Sequence, residues 1–193
     1  MTTPSRRADT AEPLHDLLAE RWSPRSYVAD HTVTEAETTA LLEAARWAPS
    51  AQNRQPRRFV AGRRGTEVHA RIAACVLERN RVWALRASLL VLGIVERVGH
   101  DGAPQRFAEY DLGQSVAHLS VQAQHLGLHV RQMGGFDAEA AAAAFGVEAP
   151  YAPLVVVAVG RATAVEDLEP ELVERDTAPR QRLPLHELVR QRA

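Results

Sequence analysis

None of the 23 basic residues of this chain is a lysine; all are arginine. Without lysine there is no Schiff base to a carbonyl substrate or to pyridoxal phosphate, and no P-loop, whose contact to the terminal phosphates is a lysine. Cysteine is nearly as scarce. Cys75 stands alone, which excludes an internal disulfide and any multi-thiolate zinc or iron–sulfur site. Long apolar runs are missing too: the two strongest, Leu89 to Val95 and Leu154 to Val159, are strand-sized, so no membrane association is expected. A formal net charge of -1 gives no reason to expect nucleic acid or an acidic polymer as partner. The polar start MTTPSRRADTAEP has no hydrophobic stretch behind Arg6 and Arg7. It reads as a disordered tail over residues 1–11 rather than a secretory or twin-arginine leader, and places the protein in the cytoplasm. The arginine bias is what a GC-rich coding sequence produces, and for most surface positions it carries no chemistry.

What is present suggests one domain over residues 12–193. Of the 193 residues, 46% are hydrophobic, enough for one substantial core or one shared across a dimer. Leu14, Leu17 and Leu18 have helical spacing within 12–21. Thr34 and Glu37 make a capping box for a helix over 35–48 that Pro49 closes. RRFVA reads as a short strand, 66–79 as a helix, and ASLLVLGIVE as a strand buried on both faces. From Asp111 to Leu126 the positions Leu112, Val116, Leu119, Ala123 and Leu126 recur every three or four residues, and Gly127 supplies a left-handed stop. LHVRQM then reads as a strand ending at Gly134 and Gly135, AEAAAAAF as a helix capped by Gly146, and PLVVVAVG as a second buried strand. The tail from Arg161 is charged and Pro-punctuated. The expected class is α+β: helices around a small, mixed but mainly antiparallel sheet, with an extended C-terminal segment.

Familiar catalytic signatures fail. HELVR at 186–190 has Arg190 where a zinc protease has its second histidine. Gly127 separates His125 from His129 and breaks their one-face geometry. There is no Gly-x-Ser-x-Gly and no Gly-rich dinucleotide fingerprint after a strand, so an enzyme built on this chain relies on a cofactor. Four stretches suit one. RWSPRSY places the guanidinium forks of Arg21 and Arg25 around the hydroxyl of Ser23, and forks of this kind match phosphate oxygens. APRQRLP repeats the idea with Arg180 and Arg182, whose i, i+2 spacing in an extended segment puts both on one side. APSAQNRQP holds Ser50, Gln52, Asn53 and Gln55 between Pro49 and Pro56, donors and acceptors suited to a heterocycle with several carbonyls and ring nitrogens. QMGGFD puts two glycines at a strand end, where a flat ring can approach backbone N–H groups. Together they describe a site for a phosphate plus a planar polar ring.

In this order the four stretches resemble the FMN-dependent nitroreductase family. Its opening Arg-x-Ser-x-Arg/Lys is met by Arg21, Ser23 and Arg25, and its Pro-Ser-x-x-Asn-x-Gln-Pro by Pro49, Ser50, Asn53, Gln55 and Pro56. DLGQSVAHLSVQAQHLGL looks like the family's long dimer-core helix, and the likeness spans about residues 14–185. The resemblance implies a nitroreductase-like fold whose C-terminal segment wraps a dimer partner. It implies that Arg21, Arg180 and Arg182 hold the FMN phosphate with Trp22 and Ser23 alongside, that Arg25 lies near the pyrimidine edge of the ring, and that Asn80 hydrogen-bonds it. Gly134 and Gly135 would face N5, and the 49–55 loop would come from the other subunit of a homodimer. The implied activity is ping-pong transfer of hydride from NADH or NADPH through FMN to a nitroaromatic, quinone or flavin acceptor, with no side chain acting as acid or base and hence no catalytic residue.

The chain departs from the family pattern in three places. Arg57 replaces a tryptophan common after Gln-Pro, Trp83 stands near where some members carry a basic residue close to the ring, and the region between Glu96 and Tyr110, which roofs the pocket in longer members, is short. Two other readings stay open: a specialised branch of the superfamily (flavin-fragmenting, dehalogenating, or dehydrogenating a natural product), and a non-redox FMN-binding protein.

Overall fold

Alternation at period two, interrupted once, builds the centre of the molecule. The computed structural model describes residues 6–191. Four strands, β1 (Arg57–Arg63), β2 (Leu89–Glu96), β3 (His129–Met133) and β4 (Tyr151–Gly160), pair in the order β1-β2-β4-β3. Every pairing is antiparallel, so the sheet is not mixed. In β2, Leu90, Leu92 and Ile94 face one core while Leu89, Val91 and Val95 face the other, as the strand period requires. The register shifts between Gly93 and Ile94, which leaves Leu154 as an extra residue in β4. A side chain at Gly93 would meet Val155 Cγ1 at 2.8 Å, so the absence of a Cβ there admits the bulge.

Helices cover both faces. Against one lie α2 (Glu35–Arg46) and α5 (Ala108–His125), whose Leu41, Ala45, Leu112, Val116, Leu119 and Ala123 are buried. The capping box of α2 forms as its sequence predicts, with Thr34 Oγ1 accepting from the Glu37 N–H and Glu37 accepting from the Thr34 N–H. Against the other face pack α3 (Glu67–Ala74), α4 (Glu78–Ala84) and α6 (Ala138–Phe145), with Ile72, Trp83, Ala84 and Ala141 in that core. Gly127 and Gly146 both take left-handed backbone where α5 and α6 end. Short α7 (Pro170–Thr177) and α8 (Leu185–Leu188) interrupt the C-terminal segment.

Three expectations need revision. The helix over 12–21 is only α1 (Asp16–Ala19), and Leu14 and Leu18 are exposed rather than a core stripe. The single helix over 66–79 is two, α3 and α4, broken where Val76 pairs with Phe136 and the Leu77 N–H donates to Gly135 O; that tertiary pairing overrides helical continuity. Residues 1–5 of the expected tail lie outside the described residues, but its remainder is not free. Arg6 Nη1 donates to Ala178 O at 3.0 Å, Arg7 reaches Asp16 and Glu20, and the Ala8 N–H donates to Ala19 O.

The tightest approach of a helix to the sheet is at Gly62, where a Cβ would stand 2.3 Å from the His69 backbone nitrogen and 2.7 Å from the Val68 carbonyl carbon. Backbone cannot yield as a side chain can. Gly62→Ala is expected to lower stability by about 3 kcal/mol, the upper end of overpacking costs, read as a lower urea midpoint at unchanged m-value; an unchanged midpoint would contradict the close docking of α3.

Candidate functional site

The two ends of the chain meet around a cluster of arginines. Arg21, on the extended stretch after α1, lies in the electrostatic field of Arg182, and Arg180 in those of Arg21, Arg182 and Arg6. Burial first, and then these like charges, lower the affinity of both Arg21 and Arg180 for their protons, although guanidinium stays charged throughout. Among the described residues neither has a carboxylate partner. Arg21 Nη1 lies 3.3 Å from Ser23 Oγ, and Arg180 Nη1 donates to the carbonyls of Arg6 and Ala19. Arg182 is exposed, its Nη1 bonded only to the carbonyl of Gln181. Trp22 floors the cluster, with Arg6 over its ring at 4.4 Å and His129 edge-on at 5.6 Å. The Nδ1 of His129 is buried without a partner. Arg21, Trp22, Ser23, Arg180 and Arg182, picked out from distant parts of the sequence, are thus brought together.

Four residues further along, a second group forms. The backbone N–H of Arg25 donates to Asp176 Oδ2 at 2.8 Å, and its guanidinium lies 3.4 Å from Oδ1 and 3.1 Å from the Arg175 carbonyl. Asp176, on α7, is buried. From β3, Arg131 Nη1 donates to Ser23 O at 2.8 Å and lies over the Trp83 ring at 5.1 Å. On α4, Asn80 is one turn before Trp83, and its Nδ2 donates to Gly135 O at 3.1 Å. A Cβ on Gly135 would meet that Nδ2 at 2.2 Å, whereas one on Gly134 would meet nothing within 4 Å. A side chain at Gly135 would therefore displace the Asn80 amide, and Gly134 leaves an open approach to backbone. The strand stops at Met133, one residue before the expected glycines.

The 49–55 loop stands apart. Pro49, Gln52, Asn53 and Gln55 are exposed, and Ser50 is half-buried. Gln52, Asn53 and Gln55 all hold left-handed backbone, with φ of 53°, 55° and 52°. Three such residues without glycine are costly, and persist only where neighbours fix them. The neighbours are Arg57 and Asp111. Buried Arg57 donates to the carbonyls of Ala48 at 2.6 Å and Arg46 at 2.9 Å and reaches Pro49 O at 3.5 Å, while buried Asp111 accepts from the Ala51 N–H at 3.0 Å. Ser50 Oγ accepts from the Gln55 N–H. Among the described residues no hydrogen bond or ion pair joins this loop to the arginine cluster or to the group around Asn80. The loop leads into β1, one edge of the sheet, and the glycines follow β3, the other edge. Three strand spacings, roughly 14 Å, separate them.

Sequence reasoning missed Arg131, Asp176, Asp111 and Arg6. The alternation of β3 could have found the first, since Arg131 shares a strand face with Met133. No local signal marks a lone carboxylate such as Asp176, whose importance lies in its burial.

Comparison with known proteins gives the family and the fold. A sequence model of the nitroreductase family matches residues 18–92. The solved structure of an oxidoreductase containing FMN is 30% identical, with a TM-score of 0.88 over 98% of this chain and 96% of its own. A Desulfovibrio desulfuricans protein solved in complex with FMN shares the fold at 23% identity and TM-score 0.75, covering 95% and 99%. An uncharacterised 15.4 kDa protein of Mycolicibacterium smegmatis is 36% identical over 139 residues, 68% of this chain and 93% of its own length.

Burial makes the imidazoles of His129 and His69 harder to protonate than the ordinary value of 6.5, with Arg21 adding to the effect at His129. The unfolded chain therefore binds more protons than the folded one below that value, and stability, full above it, falls as pH drops. Urea midpoints are expected to fall between pH 7 and pH 5.5 on the ordinary histidine scale, and His129→Asn to flatten that slope. A slope unchanged by His129→Asn would show that this imidazole is not the titrating group.

Proposed function

Because the chain belongs to the nitroreductase family, we propose that it is a homodimeric, FMN-dependent oxidoreductase passing electrons from NADH or NADPH to a small nitroaromatic, quinone or related acceptor. The observation that carries this reading is the gathering of Arg21, Arg180 and Arg182 from opposite ends of the chain with no described carboxylate to neutralise them. Like charges held together in this way suit a dianion such as a phosphate monoester.

The residues present fit FMN. Arg21, Arg180 and Arg182 would take the phosphate beside Ser23 and Trp22, and Arg25 and Asn80 would face the ring system. The unobstructed approach at Gly134 suits a flat ring lying against backbone, with Gly135 behind it. Bound FMN would supply the redox chemistry, accepting and giving up hydride at N5. The chain's own part is to fix the phosphate, orient the ring and set its electrostatics; no side chain is assigned as acid or base. Pro49, Ser50, Asn53 and Gln55 would complete the site from the partner subunit, since in one chain they stand at the sheet edge opposite Gly134. Two further features support a dimer: the outer edge of β1 pairs with no strand among the described residues, and Leu183, Leu185 and Leu188 in the C-terminal segment are all more than half exposed, suiting an arm that covers a second copy.

The purified protein is expected to carry a flavin absorbance band that bleaches anaerobically with NADH or NADPH and returns on addition of a quinone or nitroaromatic. A colourless protein that cannot be reconstituted with FMN overturns the reading. Arg182→Ala is expected to weaken FMN binding tenfold or more, since a charge-assisted bond contributes about 1.5–3 kcal/mol. Asn53→Ala should weaken it less, through the partner subunit. Unchanged FMN affinity in both variants would overturn the residue assignment.

A further inference from the structure

Arg131 belongs to none of the four stretches from which the site was first assembled. Its side chain is half-buried between the Ser23 carbonyl, the Trp83 ring and the Arg25–Asp176 pair. Within the chain only Nη1 has a described hydrogen-bond acceptor, and none of its nitrogens is sealed from solvent without a partner. The remaining donors of the fork are therefore accessible to solvent. Among the described residues Asp176 is the one carboxylate that raises the proton affinity of Arg131, and it already pairs with Arg25. Two guanidinium groups share one buried carboxylate, leaving about one positive charge uncompensated. Desolvating an unpaired charge is costly, and an arrangement of this kind suits a ligand that brings the missing negative charge.

Position identifies that ligand. Arg131 lies on the strand that ends at Met133, directly before Gly134 and Gly135, and over the aromatic ring one helical turn after Asn80. It is thus on the planar-ring side of the site, with Arg25, and not among the phosphate cluster. Trp83 stands near where some family members carry a basic residue close to the ring, and the Arg131 guanidinium lying over it brings a charge there from another element. We propose that Arg131 is an electrostatic tuning residue that stabilises negative charge on the pyrimidine edge of the bound ring, so that the reduced cofactor is held more tightly than the oxidised one. This rests on the FMN reading above. Trp83 gives the charge an apolar, polarisable floor that keeps water from one side of it, and the Ser23 carbonyl fixes its orientation while linking it to the segment that binds the phosphate.

The test is the two-electron midpoint potential of the FMN-loaded dimer, measured by reduction against a reference dye, together with the dissociation constant of oxidised FMN. In Arg131→Gln the preference for reduced over oxidised FMN is expected to fall about tenfold, which moves the potential about 30 mV more negative, while oxidised FMN still binds. Arg131→Lys, which keeps the charge but not the planar fork, should change that preference less than Arg131→Gln does, and Arg131→Met, which also removes the charge, takes the place of Arg131→Gln if that variant folds poorly. A wild-type potential in FMN-loaded Arg131→Gln, or a tenfold change in Arg131→Lys, overturns the proposal and leaves the cofactor reading standing. Failure of the wild-type protein to bind FMN overturns both.

Discussion

One buried carboxylate holds the two ends of this chain in register. Asp176 accepts from the backbone and lies against the side chain of Arg25, and in doing so docks α7 against the stretch that follows α1. The residues after α7 are then bound to run past Arg21, so Arg180 and Arg182 arrive where Arg21 waits. Arg180 spends its own hydrogen bonds on the carbonyls of Arg6 and Ala19, and Arg6 returns one to Ala178, closing the clasp. Like charges do not gather unaided. They are assembled here because an ion pair and several backbone carbonyls fix the segments that carry them, so the cluster is formed by folding itself.

The opposite edge of the sheet solves a related problem by a different device. A loop with three non-glycine residues in left-handed backbone would relax if left alone. Arg57 prevents this by capping carbonyls where α2 ends and the loop begins, and Asp111 by taking an N–H from inside it. At the first of these positions related sequences were expected to have tryptophan. Tryptophan would bring a single N–H donor, whereas the guanidinium fork of Arg57 reaches the carbonyls of both Arg46 and Ala48 where the helix ends. The departure is accounted for as a change in how the loop is held, with the displayed residues Asn53 and Gln55 still projecting outward.

Much of the architecture was legible in the sequence because it depends on local signals. The capping box at Thr34 and Glu37, the left-handed stops at Gly127 and Gly146, and the β-branched runs of β2 and β4 each declare their element through a few neighbouring residues. The failures are equally physical. Residues 66–79 have helical composition throughout, and only the distant pairing of Val76 with Phe136 splits them. Leu14, Leu17 and Leu18 have helical spacing, yet α1 is a single turn and two of the three leucines are exposed. The site divides in the same way. Arg21, Asn53, Gly134 and Arg182, which are proposed to meet FMN, stand in short stretches that can be recognised in the sequence. The residues that position them, Asp176, Asp111 and Arg57, act through burial and contacts up to 151 positions away in the chain, which no local pattern encodes.

The absence of lysine has a physical consequence. An ammonium is compact and strongly hydrated, whereas guanidinium is planar, weakly hydrated and able to stack while still donating from its edge. This chain uses that difference repeatedly: Arg6 lies over Trp22, Arg131 over Trp83, Arg58 over Tyr151 and Arg71 over Phe145. A lysine at Arg131 could supply the charge but not lie flat on the indole while also reaching the Ser23 carbonyl. Once every basic residue is arginine, positive charge can be brought into apolar, partly closed surroundings at modest desolvation cost and can be delivered from whichever element happens to be near. On β3, Arg131 rests its charge against the ring of Trp83 on α4, an arrangement that the compact, strongly hydrated ammonium of a lysine suits less well.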